Sequence, residues 1–348
     1  MEGRFFLAVP NERSAHHKAT SQGGGAAIFF SLLAFFAVLY VYFLLHILAA
    51  QSVASLSFST LLITPLLMIF GKHYIFLGFF AILASPLAII GMIDDRKHIS
   101  AFWRFLTHIF FGVSAIFCCG IDLSFTSFPW VNDAITLFLI VAFINASNFS
   151  DGINGMLSGT MLVWLLYVLF LLEFLIIFLL LFAAILGFFV RNFPKGRIFL
   201  GDCGSTFLAG MILLIGFFPF GYFSYRPLYP ILRDINSHVL HYLLIIFAPF
   251  VFMFFDIGLT LILRVAKGHS PLTPHKDHFM QKLLHHHKWS HKNITILYLI
   301  GAMASAVLLG FLSHKDHFLL GLLVYLLLQS AFFGSVLLCG KGRHDIHR

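Results

Sequence analysis

Long runs of apolar residues leave this chain one environment in which to fold. A helix needs about 20 apolar residues to cross the hydrocarbon core of a bilayer, or about 17 at the short end. The segments that meet this length are 26–50, 74–93, 101–119, 131–148, 156–172, 174–190, 204–220, 240–264, 294–313 and 318–339. With 60% hydrophobic and 10% charged residues, a water-soluble domain is excluded. The sequence therefore predicts an all-α, polytopic membrane bundle of about ten transmembrane helices, forming one domain over residues 1–348.

The distribution of lysine and arginine predicts which side of the membrane each loop faces, because these residues accumulate in cytoplasmic loops. Most of them fall in or beside five segments: 1–25, 94–104, 191–197, 264–292 and 341–348. Two predicted spans separate each of the last four segments from the next, so those four share the cytoplasmic side. For residues 1–25 to join them, an even number of spans must lie between 26 and 93. Three apolar stretches lie there, and we predict that one of them, an eleventh stretch at 54–70, lies along the surface or is packed without crossing. Orientation accounts for the formal charge of +8, and we predict no nucleic-acid partner.

Three acidic motifs lie where predicted spans end or begin, all on this cytoplasmic side. They are Asp94-Asp95 in IIGMIDDRK, Asp151 in NASNFSDGINGM and Asp202 in FLGDCGST. One carboxylate at a helix end is more often a solvated cap than a catalyst. Two adjacent ones at a membrane boundary are costly unless a cation or proton transfer requires them. Together the motifs favour a divalent metal and a phosphorylated substrate, which is a reaction centre rather than a pore.

Two of these motifs also offer suitable groups for a metal and a phosphate. Asn145, Asn148 and Asp151 recur every three residues and so share one helix face. Their amide and carboxylate oxygens suit Mg²⁺, a hard cation that prefers oxygen ligands. Gly201-Asp202-Cys203-Gly204-Ser205 stands at the start of another helix, whose N-terminus favours an anionic phosphate. We therefore expect Gly201 and Ser205 to bind substrate phosphate.

The loop 265–293 is the longest predicted cytoplasmic loop and is rich in histidine. Its histidines are His269, His275, His278, His285, His286, His287 and His291. No cysteine accompanies them, so a dedicated zinc site is not favoured, and the loop is either a polar connector or a weak binder of a transition metal. Asp256 lies inside the span 240–264, where a carboxylate is functional by default unless a partner in the bundle holds it.

The motifs also occur in a characteristic order. They are VPNERSAHHKATSQGGG (9–25), GMIDDRK (91–97), NASNFSDGINGM (145–156), NFPKGRIFLGDCGST (192–206) and DIGLTLILRVAKGHSPLTPHKDHFMQ (256–281). In this order the chain resembles the polyprenyl-phosphate N-acetylhexosamine-1-phosphate transferases, glycosyltransferase family 4. The resemblance implies a multi-pass enzyme of the bacterial inner membrane with its active face in the cytoplasm.

The reaction that the resemblance implies joins two anions. The phosphate of undecaprenyl phosphate would attack the sugar-linked phosphate of a UDP-N-acetylhexosamine, releasing UMP and leaving a lipid-linked diphospho-sugar. Mg²⁺, with Mn²⁺ as a substitute, would be the cofactor. One phosphoanhydride replaces another, so the protein has mainly to hold and screen the two anions.

The resemblance also assigns roles to residues. The metal ligands would be Asn148 and Asp202. The carboxylates expected to engage the lipid phosphate, or to lie beside the metal, are Asp94, Asp95 and Asp151. The side chains expected to bind the nucleotide sugar or its phosphates are Asn145, Asn154, Arg264, His275 and His278.

The end of the last motif resembles the branch that initiates O-antigen synthesis. That loop reads His275-Lys276-Asp277-His278-Phe279-Met280-Gln281, whereas the common-antigen branch has His-x-His-His. Met280 beside Phe279 is compatible with an apolar wall for a 6-deoxy sugar, or with packing against the membrane surface. Two departures from the family are Asn154, where many members carry Asp, and the missing span before residues 9–25, which this chain either does without or has lost.

Two other interpretations remain open at this stage. A polytopic proton or metal-ion transporter would use Asp256 as a relay and the His-rich loop as a sensor, but we find no internal repeat with paired broken helices. A non-catalytic homologue that scaffolds glycan assembly is disfavoured, because the acidic motif positions other than 154 are retained. The sequence does not decide the UDP-sugar or the oligomeric state, and a homodimer stays open.

Overall fold

The computed structural model describes residues 7–8, 19–52, 77–121, 123–172, 175–217, 239–270, 276–312 and 318–341. Two short strands, β1 (Leu7–Ala8) and β2 (Thr20–Ser21), pair antiparallel. The helices are α1 (Gly24–Ser52), α2 (Leu77–Leu83), α3 (Ser85–Lys97), α4 (Ala101–Cys119), α5 (Pro129–Ser150), α6 (Met156–Leu172), α7 (Leu175–Asn192), α8 (Gly201–Phe217), α9 (Val239–Ile246), α10 (Ala248–Ala266), α11 (Phe279–His285), α12 (His291–Leu312) and α13 (Phe318–Lys341).

These helices confirm the predicted all-α class. Every one of the predicted apolar segments contains a helix, while the uncertain stretch 54–70 lies outside the described residues. Within the described parts, five helices are long and apolar enough to cross a bilayer: α1, α4, α5, α10 and α12. The pair α2 and α3, bent by 45° at its break, makes a sixth candidate span. Shorter apolar helices occur in α6, α7, α8 and α13.

Helix α8 forms the centre of the bundle. Every one of its residues except Asp202 is buried, from Gly201 to Phe217. A helix that is apolar on all sides has no face for solvent and is stable only when other helices surround it. Asp202, the one acidic residue of the first turn, is thus the one residue of α8 that is not buried, and it lies at the N-terminal end of the helix.

Small residues let two neighbouring helices approach α8 at backbone contact. A Cβ added to Gly25 of α1 would lie 2.2 Å from the backbone nitrogen of Gly204, and one added to Gly91 of α3 would lie 2.5 Å from that of Cys203. Such contacts between small residues are how membrane helices gain packing without a hydrophobic driving force. They bring the acidic end of α3 against the first turn of α8.

The end of the N-terminal motif packs beside the same turn. The Phe199 N–H donates to the Ser21 carbonyl at 2.7 Å, and the Gly24 and Gly25 N–H groups donate to the carbonyls of Phe199 and Leu200 at 3.1 and 3.0 Å. Residues 19–25 thus form a backbone clasp on the segment that leads into α8. The sequence-distant motifs at 19–25, 91–97 and 198–206 meet in one place.

We predict that Gly91→Ala destabilises the protein by about 1–3 kcal/mol, the usual cost of overpacking a tight contact. The added methyl would collide with backbone of α8, which cannot rotate away as a side chain could. The measurement is thermal unfolding of the purified protein in detergent.

Gly187→Ala on α7 is the matched control, because a Cβ there meets nothing within 4 Å. We expect it to leave stability unchanged or to raise it by about 0.5–1 kcal/mol through helix propensity. Equal unfolding temperatures for Gly91→Ala and the wild type would contradict the close α3–α8 contact.

Candidate active site

The N-terminus of α8 is closed by two carboxylates from other parts of the chain. The first amides of a helix have no partner within the helix and need external acceptors. The Asp202 N–H donates to Asp95 Oδ1 at 2.9 Å and the Cys203 N–H to Asp95 Oδ2 at 3.2 Å. The Asp151 carboxylate lies near the Gly201 N–H, which acts to lower its pKa. The end of α3 is therefore fastened to the start of α8, and the turn after α5 lies beside it.

Glycine is required at the first position of this turn. Gly201 has φ of +72°, and a Cβ there would lie 2.5 Å from Asp95 Oδ2. The positive φ and the close carboxylate each exclude a side chain. In this structure the anion held by the α8 amides is the protein's own Asp95, at the place where the sequence predicted a substrate phosphate.

Arg104, on the first turn of α4, links the other two acidic motif residues. Asp94 is 6% exposed, and its Oδ1 accepts from the Ile99 N–H at 2.7 Å. Arg104 Nη1 donates to Asp94 Oδ2 at 3.0 Å and to Asp202 Oδ2 at 3.1 Å. One guanidinium nitrogen thus bridges two carboxylates from α3 and α8, and it fixes their separation.

Negative charge exceeds positive charge in this cluster. Four carboxylates (Asp94, Asp95, Asp151 and Asp202) meet around α8, and Arg104 is the cation that pairs with two of them. Burial raises the pKa of Asp151 well above its usual range, and the Asp202 and Asp95 carboxylates raise it further, against the lowering effect of the Gly201 N–H. The arrangement favours binding of an additional cation.

The donor set fits a magnesium ion that is shared with a substrate. Within the described residues, no three His, Cys, Asp or Glu side chains converge as a ready-made metal cage. Mg²⁺ is commonly bound by one or two carboxylates together with water and substrate phosphates. Asp202, with Asn148 one turn before Asp151 on α5, offers oxygen donors of that kind. Both Asp95 oxygens are already used by amides.

Asn145 faces α4. Its Nδ2 lies 3.2 Å from His108 Nδ1 and donates to the Val141 carbonyl at 2.8 Å. His108 is 3% exposed and stands one turn beyond Arg104 on α4. The predicted nucleotide-sugar role of Asn145 stays a prediction, and its amide group here helps to join α5 to α4.

Asn154 connects three segments at the turn between α5 and α6. Its N–H donates to His291 Nδ1 at 3.2 Å, its Nδ2 to the Pro194 carbonyl at 3.2 Å, and its carbonyl accepts from Thr295 Oγ1 at 2.7 Å. The bond to Pro194 requires the amide as donor, which a carboxylate at this position could not supply, whereas the other two bonds use the backbone of Asn154. The predicted contact with the nucleotide sugar remains a prediction.

The loop 265–293 is largely structured in its described part. Arg264, near the end of α10, forms an ion pair with Asp277 and donates to the Ser270 carbonyl at 3.1 Å. His278 is 4% exposed and immediately precedes α11, and its ring centroid lies 6.0 Å from that of Phe149 on α5. His275 lies outside the described residues. His278 therefore lies beside the end of α5, and the ion pair between Arg264 and Asp277 holds the residue next to it.

Phe279 and Met280 are packed inside the bundle. Their exposed fractions are 3% and 1%, and the Phe279 ring meets Phe333 of α13 edge-on at 4.4 Å. This corrects the expectation of an apolar wall facing a sugar or the membrane surface. Asp256, also buried, holds the backbone of the same two residues.

Sequence reasoning assigned no role to several residues of the site: Arg104, His108, Asp277 and His291. A signal existed for the first two. Arg104 and His108 interrupt an apolar run on α4, and ionisable residues within a span mark a site or a buried partner. Arg104 was attributed to orientation because it lay beside a basic loop.

Comparison with known proteins identifies one family model and several related enzymes. Residues 76–219 match the model described as glycosyl transferase family 4. A decaprenyl-phosphate N-acetylglucosaminephosphotransferase of Mycobacterium tuberculosis is 27% identical over 327 residues, covering 86% of this chain and 74% of that protein. A Bacillus subtilis protein named "Probable undecaprenyl-phosphate N-acetylglucosaminyl 1-phosphate transferase" is 26% identical over 64% of this chain and 62% of its own length. The phospho-N-acetylmuramoyl-pentapeptide-transferase of Bacillus subtilis is 34% identical over 102 residues, 28% of this chain and 31% of that protein.

We predict that Asp95→Ala lowers stability by about 2 kcal/mol or more, because two amides of the enclosed α8 lose a charged acceptor. The measurement is the thermal unfolding midpoint in detergent. Asp133→Ala is the matched control, since Asp133 is an exposed aspartate on α5 outside the cluster.

A different outcome would assign Asp95 another role. If Asp95→Ala unfolds at the wild-type temperature, the carboxylate does not stabilise α8, and any loss of activity in that variant would come from contact with substrate.

Proposed function

Because the chain belongs to glycosyl transferase family 4, we propose that it transfers an N-acetylhexosamine 1-phosphate from a UDP-sugar to undecaprenyl phosphate. An oxygen of the lipid phosphate attacks the sugar-linked phosphorus of the UDP-sugar, UMP leaves, and a lipid-linked diphospho-sugar forms. The relatives named as polyprenyl-phosphate N-acetylglucosamine phosphotransferases support this substrate pair.

The observation that carries the proposal is the cluster of four carboxylates and Arg104 at the first turn of α8. Both reactants are anions, so their approach requires fixed positive charge and screening. Asn148 and Asp202 would hold Mg²⁺. When bound, the ion would screen the charge of the substrate diphosphate.

The protein's own groups then divide the work. Arg104 is half-exposed beside Asp94 and Asp202, and its remaining N–H groups can donate to a phosphate oxygen. Asp94 orients the guanidinium and would accept a proton from the lipid phosphate. Asp95 and Asp151 keep the α8 turn in place. His278, beside Phe149 of α5, and Arg264 would bind the nucleotide sugar.

The finer assignments belong to the same proposal. The active face would be cytoplasmic in a bacterial inner membrane, because the basic loops lie at the same ends of the helices as the acidic motifs. The product would initiate O-antigen synthesis, as the loop motif at 275–281 suggests. The transporter alternative used Asp256 as a relay, whereas this carboxylate is engaged by the backbone of α11.

The direct test is transfer by membranes that contain the protein. Given radiolabelled UDP-sugars and undecaprenyl phosphate, we expect lipid-linked product and UMP in equal amounts, lost with excess EDTA and restored by Mg²⁺ or Mn²⁺. Asp202→Asn should lower the rate by about 10² or more, because the metal loses a negatively charged oxygen ligand. Asp133→Asn should retain wild-type rates.

Two results would count against different parts of the proposal. Full transfer in excess EDTA would refute the role of the metal and leave the reaction in place. A folded wild-type protein that forms no lipid-linked product with any UDP-N-acetylhexosamine offered would refute the reaction itself.

Topology is tested separately by single-cysteine labelling in a cysteine-free background. His286→Cys, exposed in the loop before α12, should be protected from an impermeant reagent added outside the inner membrane. Ser127→Cys, exposed between α4 and α5, should react. Labelling of position 286 from outside would reverse the proposed orientation.

A further inference from the structure

Asp256 is buried in the middle of α10 and binds a segment more than 20 positions later in the chain. Its Oδ1 accepts from the Phe279 N–H at 2.7 Å and its Oδ2 from the Met280 N–H at 3.2 Å. Tyr298 Oη, on α12, donates to Oδ2 at 2.6 Å. Asp256 is 2% exposed. One carboxylate thus joins α10, α11 and α12.

These contacts supply what α11 lacks by itself. A helix of 7 residues is too short to be stable alone in water, so its position depends on external attachment. Its first amides also need acceptors, and a buried carboxylate needs donors. The side chains of Phe279 and Met280 complete the attachment by packing into the core.

His278 is carried by the same attachment. It is the residue immediately before Phe279, and its carbonyl accepts from the Lys282 N–H at 2.9 Å, which makes it part of the first turn of α11. Its ring lies beside Phe149, next to Asn148 on α5. The preceding residue, Asp277, is paired with Arg264. Asp256 and Arg264 of α10 therefore hold the residues on both sides of His278.

We propose that Asp256 is a positioning residue for the nucleotide sugar: its buried carboxylate fixes α11, and α11 in turn fixes His278 beside the end of α5. The inference rests on the proposed function, because His278 is assigned there to substrate binding. Asp256 itself touches no substrate. It acts through the backbone of Phe279 and Met280.

A positioning role differs in its consequences from a general contribution to stability. Loss of overall stability would affect both substrates alike and would loosen many segments. Loss of the α11 attachment should loosen residues 278–285 and weaken binding of the UDP-sugar, while binding of undecaprenyl phosphate stays as before.

The first comparison uses Asp256→Asn against Tyr242→Phe. The control removes a different buried hydrogen bond, in which Tyr242 Oη donates to the Gly216 carbonyl at 3.0 Å. For Asp256→Asn we expect hydrogen exchange of the amides at 278–285 to be about tenfold faster and KM for the UDP-sugar to be about tenfold higher. KM for undecaprenyl phosphate should stay within about twofold. Tyr242→Phe should change neither the exchange at 278–285 nor the KM for either substrate.

The second comparison isolates the amide and does not require a change at Asp256. Phe279→Pro removes the side chain and also the N–H that donates to Asp256. Residue 279 is the first helical position, where proline fits. Phe279→Ala removes the side chain alone. His278 has φ of −59° and ψ of 144°, which suits the residue before a proline. We expect KM for the UDP-sugar to be about threefold higher in Phe279→Pro than in Phe279→Ala.

The outcomes separate the proposals. Unchanged exchange at 278–285 in Asp256→Asn would overturn the attachment, and faster exchange with an unchanged KM for the UDP-sugar would overturn the positioning role. Equal KM values for the two Phe279 variants would also overturn it if Asp256→Asn does not fold. A folded wild-type protein without transfer would refute the proposed function instead, and with it the role for the UDP-sugar, whereas the exchange measurement would still report on the attachment.

Discussion

The backbone amides that open α8 set the geometry of the end of the bundle that carries the acidic motifs. They are donors that the helix itself cannot satisfy, and Asp95 of α3 satisfies two of them, while the Asp151 carboxylate after α5 lies near the Gly201 N–H. Since α8 is enclosed on all sides, its first turn can meet these carboxylates only if α1 and α3 approach closely, which Gly25 and Gly91 allow. The close packing of these helices is therefore also what assembles the candidate site.

Charge balance explains why the acidic motifs can coexist before a substrate arrives. Asp94 and Asp95 are adjacent on α3, so their side chains point about 100° apart and meet different partners. Asp95 turns to the amides of α8, and Asp94 turns to Arg104 on α4. The same Arg104 nitrogen also reaches Asp202. Adjacent carboxylates that look redundant in the sequence thus do different work in the structure.

The sequence predicted the helices well because length and hydropathy decide them. Counting spans also placed the three acidic motifs on one side, and the structure brings Asp94, Asp95, Asp151 and Asp202 to one turn. What the sequence could not supply was the identity of contacts between distant segments. The fastening of Asp95 to α8 depends on which helices are neighbours, and no local pattern encodes that.

The loop after α10 shows a second kind of limit. Its histidines suggested a polar connector or a weak metal binder, and its Phe279-Met280 pair an apolar wall for a sugar or packing against the membrane surface. The pair is instead buried, since Asp256 lies deep in α10 and draws the backbone of the loop inward. The carboxylate of Asp256 inside a span was the one signal of this arrangement. The sequence shows that carboxylate but not the backbone groups that bind it.

The clasp between residues 19–25 and 198–200 has a consequence for the order in which the chain matures. Residues 19–25 leave the ribosome early, yet their backbone partners follow only after about 175 further residues, which takes on the order of ten seconds or more during synthesis. During that interval α1 lies in the bilayer without its packing contact to α8. Defects in the clasp should therefore harm late assembly, after the individual helices have been inserted, and would leave a membrane-embedded chain that chaperones and proteases recognise as unfinished.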